Sequence, residues 1–179
     1  IILFLIFTIV FFNKIIISKV FVLSISKWLE RDILINQINV DYSENEITLK
    51  KIEVRNDEKF FYNNIFEAEI IKIKYNFRSI FTNLVIIDYL IIENPRVFLE
   101  FSNKNNEIID DNMGLVDKYN EGYKPKIYPK KNYDKNFIII ETKMINPIAF
   151  IKSLDSNQKI KINLSNMNFY KLASKTEYY

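Results

Sequence analysis

From residue 33 onward, apolar and polar residues alternate with a period of two, the pattern of a strand with one covered face. Residues 34–42 set Leu34, Ile38, Val40 and Tyr42 against Gln37, Asn39 and Asp41. A turn at Ser43-Glu44-Asn45 leads to Ile47 and Leu49, after which Ile52 and Val54 take up the opposite parity. A slip of one residue at Lys50-Lys51 predicts a bulge that returns the apolar side chains to the same face. Residues 65–75 slip in the same way: Phe66, Ala68 and Ile70 are followed by Ile71, Ile73 and Tyr75, with Glu67, Glu69, Lys72 and Lys74 opposite. A short helix or turn is expected at 76–82. Residues 84–92, LVIIDYLII, are apolar on both faces apart from Asp88 and predict a strand that is covered on both sides or borders the apolar helix. Asn94-Pro95 reads as a hairpin turn, with the return strand at Arg96–Phe101. A polar stretch at 102–135 reads as a long loop, with a short helix at Asp110–Tyr119. Further strands are expected at 136–144, 147–152 and 158–170. The whole predicts a curved antiparallel meander, one face polar and the other, concave, apolar.

The N-terminus is of another kind. Residues 1–12, IILFLIFTIVFF, carry no charge. A bilayer span needs about 20 apolar residues, and the run reaches that length if it continues to Leu23 with Lys14 and Lys19 snorkelling. The organisation expected is a transmembrane anchor at 1–23, an amphipathic helix at 24–32 and a β domain at 33–179. A signal peptide and a buried core helix are the alternatives to the anchor, and no small-x-small cleavage site stands near residues 12–25. Phe21, Ile25, Trp28 and Leu29 share one helix face, which suits a helix on the membrane surface or one packed on the sheet. Residue 1 is Ile, so the chain is expected to be part of a longer protein.

Composition removes several chemistries. Without Cys or His there are no disulfides, thiol nucleophiles, imidazole bases or ordinary zinc sites. Two glycines, Gly114 and Gly122, cannot build a phosphate-binding loop, and turns must rely on Asn, Asp and Ser. A net charge of +3 without a run of five or more like charges gives no nucleic-acid signature. Asp110-Asp111-Asn112 offers oxygen ligands but lacks the spacing of a calcium loop. Glu67 and Glu69, followed by Lys72 and Lys74, read as a solvated polar face. Lys124, Lys126, Lys130 and Lys131, interleaved with Tyr123, Tyr128 and Tyr133, form a basic-aromatic stretch that suits anionic headgroups or an ordinary loop. Neither a catalytic constellation nor a cofactor or metal site is expected.

The order of elements resembles the N-terminal region of the AsmA-like family of bacterial proteins anchored in the inner membrane, TamB-type and bridge-like members among them. The carriers are the apolar N-terminus, INQINVDYSENEITLKKIEVRNDE, and FEAEIIKIKYNFRSIFTNLVIIDYLIIENPRVFLEFSNKNNEIIDDNMGLV. In that family a short helix precedes a strand pair of the form I-x-x-l-x-I-x-x-P-x-v-x-l-e, then an Asn-containing loop. Here Phe77–Phe81 stands at the helix, Ile87–Glu100 with Pro95 at the pair, and Asn112–Val116 at the Asn-containing loop. The resemblance implies a protein anchored in the inner membrane by a single pass, with its bulk in the periplasm, that carries membrane lipid or maintains the outer envelope. An outer-membrane or envelope protein would be a further partner.

The lipid groove is expected at Ile38, Val40, Leu49, Ile52, Val54, Ile71, Ile73, Leu99, Ile138, Ile140 and Ile162; the same residues would also suit a closed core. Two other readings stay open: an anchored assembly module that pairs its sheet edge with a protein, and an envelope enzyme whose catalytic part lies beyond residue 179.

Overall fold

The computed structural model describes residues 31–104, 107–112, 136–156 and 158–173. The expected anchor, all of the expected amphipathic helix but Arg31 and Asp32, and the basic-aromatic stretch lie outside them. No described helix is long and apolar enough to cross a membrane.

The described chain is mainly β, a single open sheet of ten strands. In chain order they are β1 (Ile33–Asp41), β2 (Glu46–Arg55), β3 (Asn64–Tyr75), β4 (Leu84–Glu93), β5 (Arg96–Lys104), β6 (Glu107–Asp111), β7 (Asn136–Ile145), β8 (Ile148–Ser153), β9 (Lys159–Asn163) and β10 (Met167–Ala173). A 3-10 turn at Phe77–Phe81 precedes β4 where a short helix was expected, capped by the Asn76 side chain, which accepts from the backbone N–H of Arg78 and Ser79. The β1–β2 turn also follows its sequence: Asp41 Oδ1 accepts from Ser43 N, Ser43 Oγ and Glu44 N. Those bonds hold the Asp41 carboxyl below the usual carboxylate range, the Ser43 hydroxyl contributing most.

Three expectations need correction. The sheet is mixed rather than an antiparallel meander, because β4 pairs β7 and β5 pairs β8 in parallel. Asn94-Pro95 is not a hairpin. Ile70 pairs with Glu93 and Phe66 with Val97, in one antiparallel register, so β4 and β5 run on in the same direction along β3. Thirdly, part of the expected 102–135 loop is strand, since β5 continues to Lys104 and β6 returns beside it through Asp110 and Asp111, where the short helix was expected to begin.

The same continuity recurs. β7 and β8 flank β4 and β5 at one constant offset, and between the two strands the pairing is interrupted at Asn146-Pro147. β9 and β10 flank β8 and β7 in one register, interrupted at Leu164–Asn166. The strands therefore lie as six ribbons, β1, β2, β3, β4–β5, β7–β8 and β9–β10, with β6 added beside β5.

A single transverse line crosses all six ribbons, through Asn36, Lys51, Glu69, Asn94, Asn146 and Ser165, where the pairing of every ladder breaks. Lys51, Asn94 and Asn146 sit there at φ of 52, 51 and 52°. That conformation reverses the alternation, so Leu49 and Ile52, three residues apart, share a face. The parity slips read from sequence are real, but they are not bulges. Leu49↔Ile71 and Ile52↔Ala68 belong to one register, so no residue is inserted; every ribbon switches parity on the same line. We call this line the crease. Asn tolerates the left-handed region better than other non-glycine residues, and proline after it has no N–H to leave unpaired. Side chains bridge the crease: Asn94 Nδ2 donates to Glu69 Oε2 at 2.6 Å, Asn146 Nδ2 to Asn94 Oδ1 at 3.3 Å, and Asn146 N to Asn166 Oδ1 at 2.7 Å.

Candidate functional site

The crease puts the apolar residues of all six ribbons on one side. The cross-strand pairs run Val40↔Ile47↔Ile73↔Leu90↔Thr142↔Phe169 above the crease, and Ile33↔Val54↔Phe66↔Val97↔Ala149↔Ile162 below it. The rows next to these are Ile38, Leu49, Ile71, Ile92, Met144 and Met167 above, and Leu99, Ile151 and Ile160 below. These rows hold no charged side chain. The polar face opposite carries ion pairs: Lys72 Nζ–Glu93 Oε1 at 2.9 Å, Lys143 Nζ–Glu141 Oε1 at 3.0 Å and Arg96 Nη1–Glu67 Oε2 at 3.7 Å. Glu67 and Glu69 do not act together, since Glu67 bonds Asn64 and Arg96 while Glu69 bonds Asn94 at the crease.

Of the eleven residues expected in the groove, Ile38, Val40, Leu49, Ile52, Val54, Ile71, Ile73, Leu99 and Ile162 share this face by register. Ile140 stands on a second interruption of the ladders, level with Asp88 and Lys171 (φ 55°), and Ile138 lies beyond it beside Ile86 and Ala173. Two residues change sides from the sequence reading. The crease at Asn36 turns Leu34 away from Ile38 and replaces it with Ile33 and Ile35, and the crease at Glu69 sends Ile70 to the side of Lys72. Leu34 is accordingly exposed.

Burial along the face is uneven. Leu49, Ile52 and Val54 are 4–6% exposed and form one core cluster with Ile33, Ala68 and Ile92. At the far edge Ile160 is 55% exposed, and Ile162, Phe169 and Leu172 are also open. The apolar surface is therefore sealed at β1–β3 and uncovered at β9–β10. Thr142 lies between these zones; its Oγ1 is buried without a hydrogen-bond partner.

The lower end of the sheet, where Ile33, Val54 and Phe66 lie, holds a second assembly that sequence reading missed. Pro95, Glu100 and Asn112 are the largest fully buried side chains described, Glu100 and Asn112 at 0% exposure. Glu100 Oε1 accepts from Tyr62 N at 2.8 Å and Asn56 Nδ2 at 3.1 Å, and Oε2 accepts from Phe61 N at 2.8 Å. The carboxylate thus pins the 56–63 loop over the polar face. Tyr62 then packs on Phe98, and Phe98 stacks on Phe150 with centroids 5.0 Å apart. Burial, and after it the charge of Glu100, pushes the Tyr62 hydroxyl pKa up.

Asn112 serves as an extra strand residue. Its Nδ2 donates to Phe98 O at 2.7 Å, its Oδ1 accepts from Glu100 N at 2.9 Å, and its backbone O accepts from Arg31 Nη2 at 3.0 Å. Both ends of the Asn112 side-chain amide are thus committed to the β5 backbone, and no metal-binding cluster stands among the described residues.

One signal for this region was in the chain. IENPRVF at Ile92–Phe98 and MINPIAF at Met144–Phe150 share an Asn-Pro followed by Phe three residues after the proline, and the two segments lie side by side. Protein-family models, curated proteins and solved structures yield no match to the chain.

Proposed function

We propose that the chain is a membrane-anchored envelope protein of AsmA-like type that carries lipid along its apolar face, with residues 1–23 in the inner membrane and the sheet in the periplasm. The observation that carries the reading is the uncharged face, continuous over six ribbons and exposed at β9–β10. An acyl chain moved into water costs about 0.8 kcal/mol per methylene, roughly 13 kcal/mol for a sixteen-carbon chain. Passage between membranes therefore needs apolar surface along the path, and Ile, Val, Leu and Phe suffice without catalysis. Supporting the resemblance, Pro95, Glu100 and Asn112, which stand at the family's Pro, acidic and Asn positions, are the largest fully buried side chains among the described residues.

Photo-crosslinkable residues at Ile162 and Phe169 in intact bacteria test the reading. Lipid adducts are expected at both and not at Tyr170, which is exposed on the opposite face of β10. Their absence from Ile162 and Phe169 would sink the groove.

A second reading rests on the same edge. Among the described strands β9 and β10 each pair with one neighbour, an edge to which a protein partner can add a strand. Protein crosslinks from Asn168 or Asn163, in place of lipid adducts, would favour that assembly role.

A further inference from the structure

The polar face is not uniformly polar at its lower end. Phe61, on the loop that Glu100 pins, is 54% exposed. Lys152 Nζ and Lys159 Nζ each lie 4.1 Å from its ring centroid, and Lys161 Nζ lies 5.9 Å from the Phe150 ring. Lys152 and Lys159 are directly opposite across β8 and β9, a like-charge pairing that by itself weakens a sheet. The shared aromatic ring offsets part of that repulsion, but Lys152, Lys159 and Lys161 enter no ion pair with described residues. Nearby acids are engaged elsewhere: Asp57 pairs with Arg31 at 3.3 Å, Asp155 accepts from Ser102 Oγ, and Glu100 is buried under the loop. Glu58 is the remaining acid of the loop. An exposed aromatic ring set among concentrated cations suits an interface where hydrocarbon and anionic groups meet.

The position of the patch indicates which interface. Arg31 bridges Asp57 of the same loop and Asn112, and Arg55 N donates to Asp32 O, so the chain enters the sheet beside this patch. The residues before that entry include the uncharged run 1–12. We infer that Phe61 with Lys152, Lys159 and Lys161 forms a docking site for anionic phospholipid headgroups, which seats the lower end of the sheet on the membrane from which the chain emerges. The inference rests on reading residues 1–23 as an anchor but not on lipid transport. Docking there would set the ribbons upright on the bilayer, with the upper turns at 42–45 and 77–81 farthest from it.

The chain has no cysteine, so Glu58→Cys in the full-length chain accepts one environment-sensitive fluorophore beside Phe61. In nanodiscs containing phosphatidylglycerol the emission should shift to the blue relative to discs of phosphatidylcholine alone, and high salt should reverse the shift. At about fivefold per lysine, Lys152→Gln with Lys159→Gln should lower the ratio of docked to undocked protein roughly 25-fold. Equal emission in neutral and anionic discs, or a double variant that docks as well as the parent, would overturn the inference. So would the same shift produced by inorganic phosphate with neutral discs. Co-flotation with phosphatidylcholine vesicles through an alkaline wash reports the anchor separately, so its failure is distinguishable from failure of the patch.

Discussion

Leu49 and Ile162 are aliphatic residues on one face of one sheet, yet Leu49 is buried in a core cluster and Ile162 faces solvent. Residue type and register are alike, so what separates them is position across the sheet. At β1–β3 the apolar rows pack into a core, where their free energy goes into stability. At β9–β10 the same kind of surface is left uncovered and is available to a ligand. Alternation thus identifies a face and is silent on whether that face is filled, so the lipid contact proposed above falls to Ile160, Ile162 and Phe169 before Leu49 or Val54.

Several substitutions would sharpen or break this contrast. The largest loss is expected at neither zone but at the pin beneath them. Glu100→Ala leaves the N–H groups of Phe61 and Tyr62 and the Asn56 amide without their acceptor. At about 1–3 kcal/mol for each unsatisfied donor, denaturant unfolding should show a loss of roughly 3 kcal/mol or more; a loss under about 1 kcal/mol would mean the loop is held by other contacts.

In the sealed zone, Leu49→Ala should cost about 2–5 kcal/mol in the same measurement. Asn94→Ala puts an alanine at φ 51° and removes the Glu69 bond, so it should cost about 1–2 kcal/mol. Ile162→Ser, in the open zone, should change stability by no more than about 0.5 kcal/mol while reducing lipid adducts formed at Phe169. A cost for Ile162→Ser equal to that of Leu49→Ala would erase the distinction between the two zones.

The smallest effect is a pH dependence. The Tyr89 hydroxyl donates to Glu46, and that bond, with burial and the charges of Glu46 and Glu44, raises its pKa to about 12. A pKa raised by folding stabilises fully below the unfolded value near 10 and loses that contribution as pH climbs through 12. The difference in melting temperature between the parent and Tyr89→Phe should therefore hold steady up to about pH 10 and shrink above it.

Much of the strand content could be read from the chain. Strands β1–β5, β7 and β8 fall close to where the sequence pattern placed them, β9 and β10 divide the single strand expected at 158–170, and the slips at Lys50-Lys51 and between Ile70 and Ile71 mark the crease within a residue or so. Asn94-Pro95 misled because a turn signal specifies local backbone geometry, and the left-handed φ of a hairpin is also that of a crease in a continuous ribbon. β6 was hidden in a polar stretch because its pairing with β5 is non-local. The patch of Phe61 and lysines was invisible for the same reason, since Phe61, Lys152 and Lys159 meet only after the loop folds back over the sheet.

By itself, the sequence determined the mainly β character, the face each ribbon presents between its slips, and the absence of thiol and imidazole chemistry. These follow from side-chain type and a two-residue period, which are local. Tertiary structure alone decided that β4 and β7 run parallel, that six parity switches align into one crease, that Glu100 and Asn112 are buried and bonded, and that the apolar face is closed at one edge and open at the other. Each of those depends on which distant strand lies alongside, and a period of two is the same whichever neighbour a strand acquires.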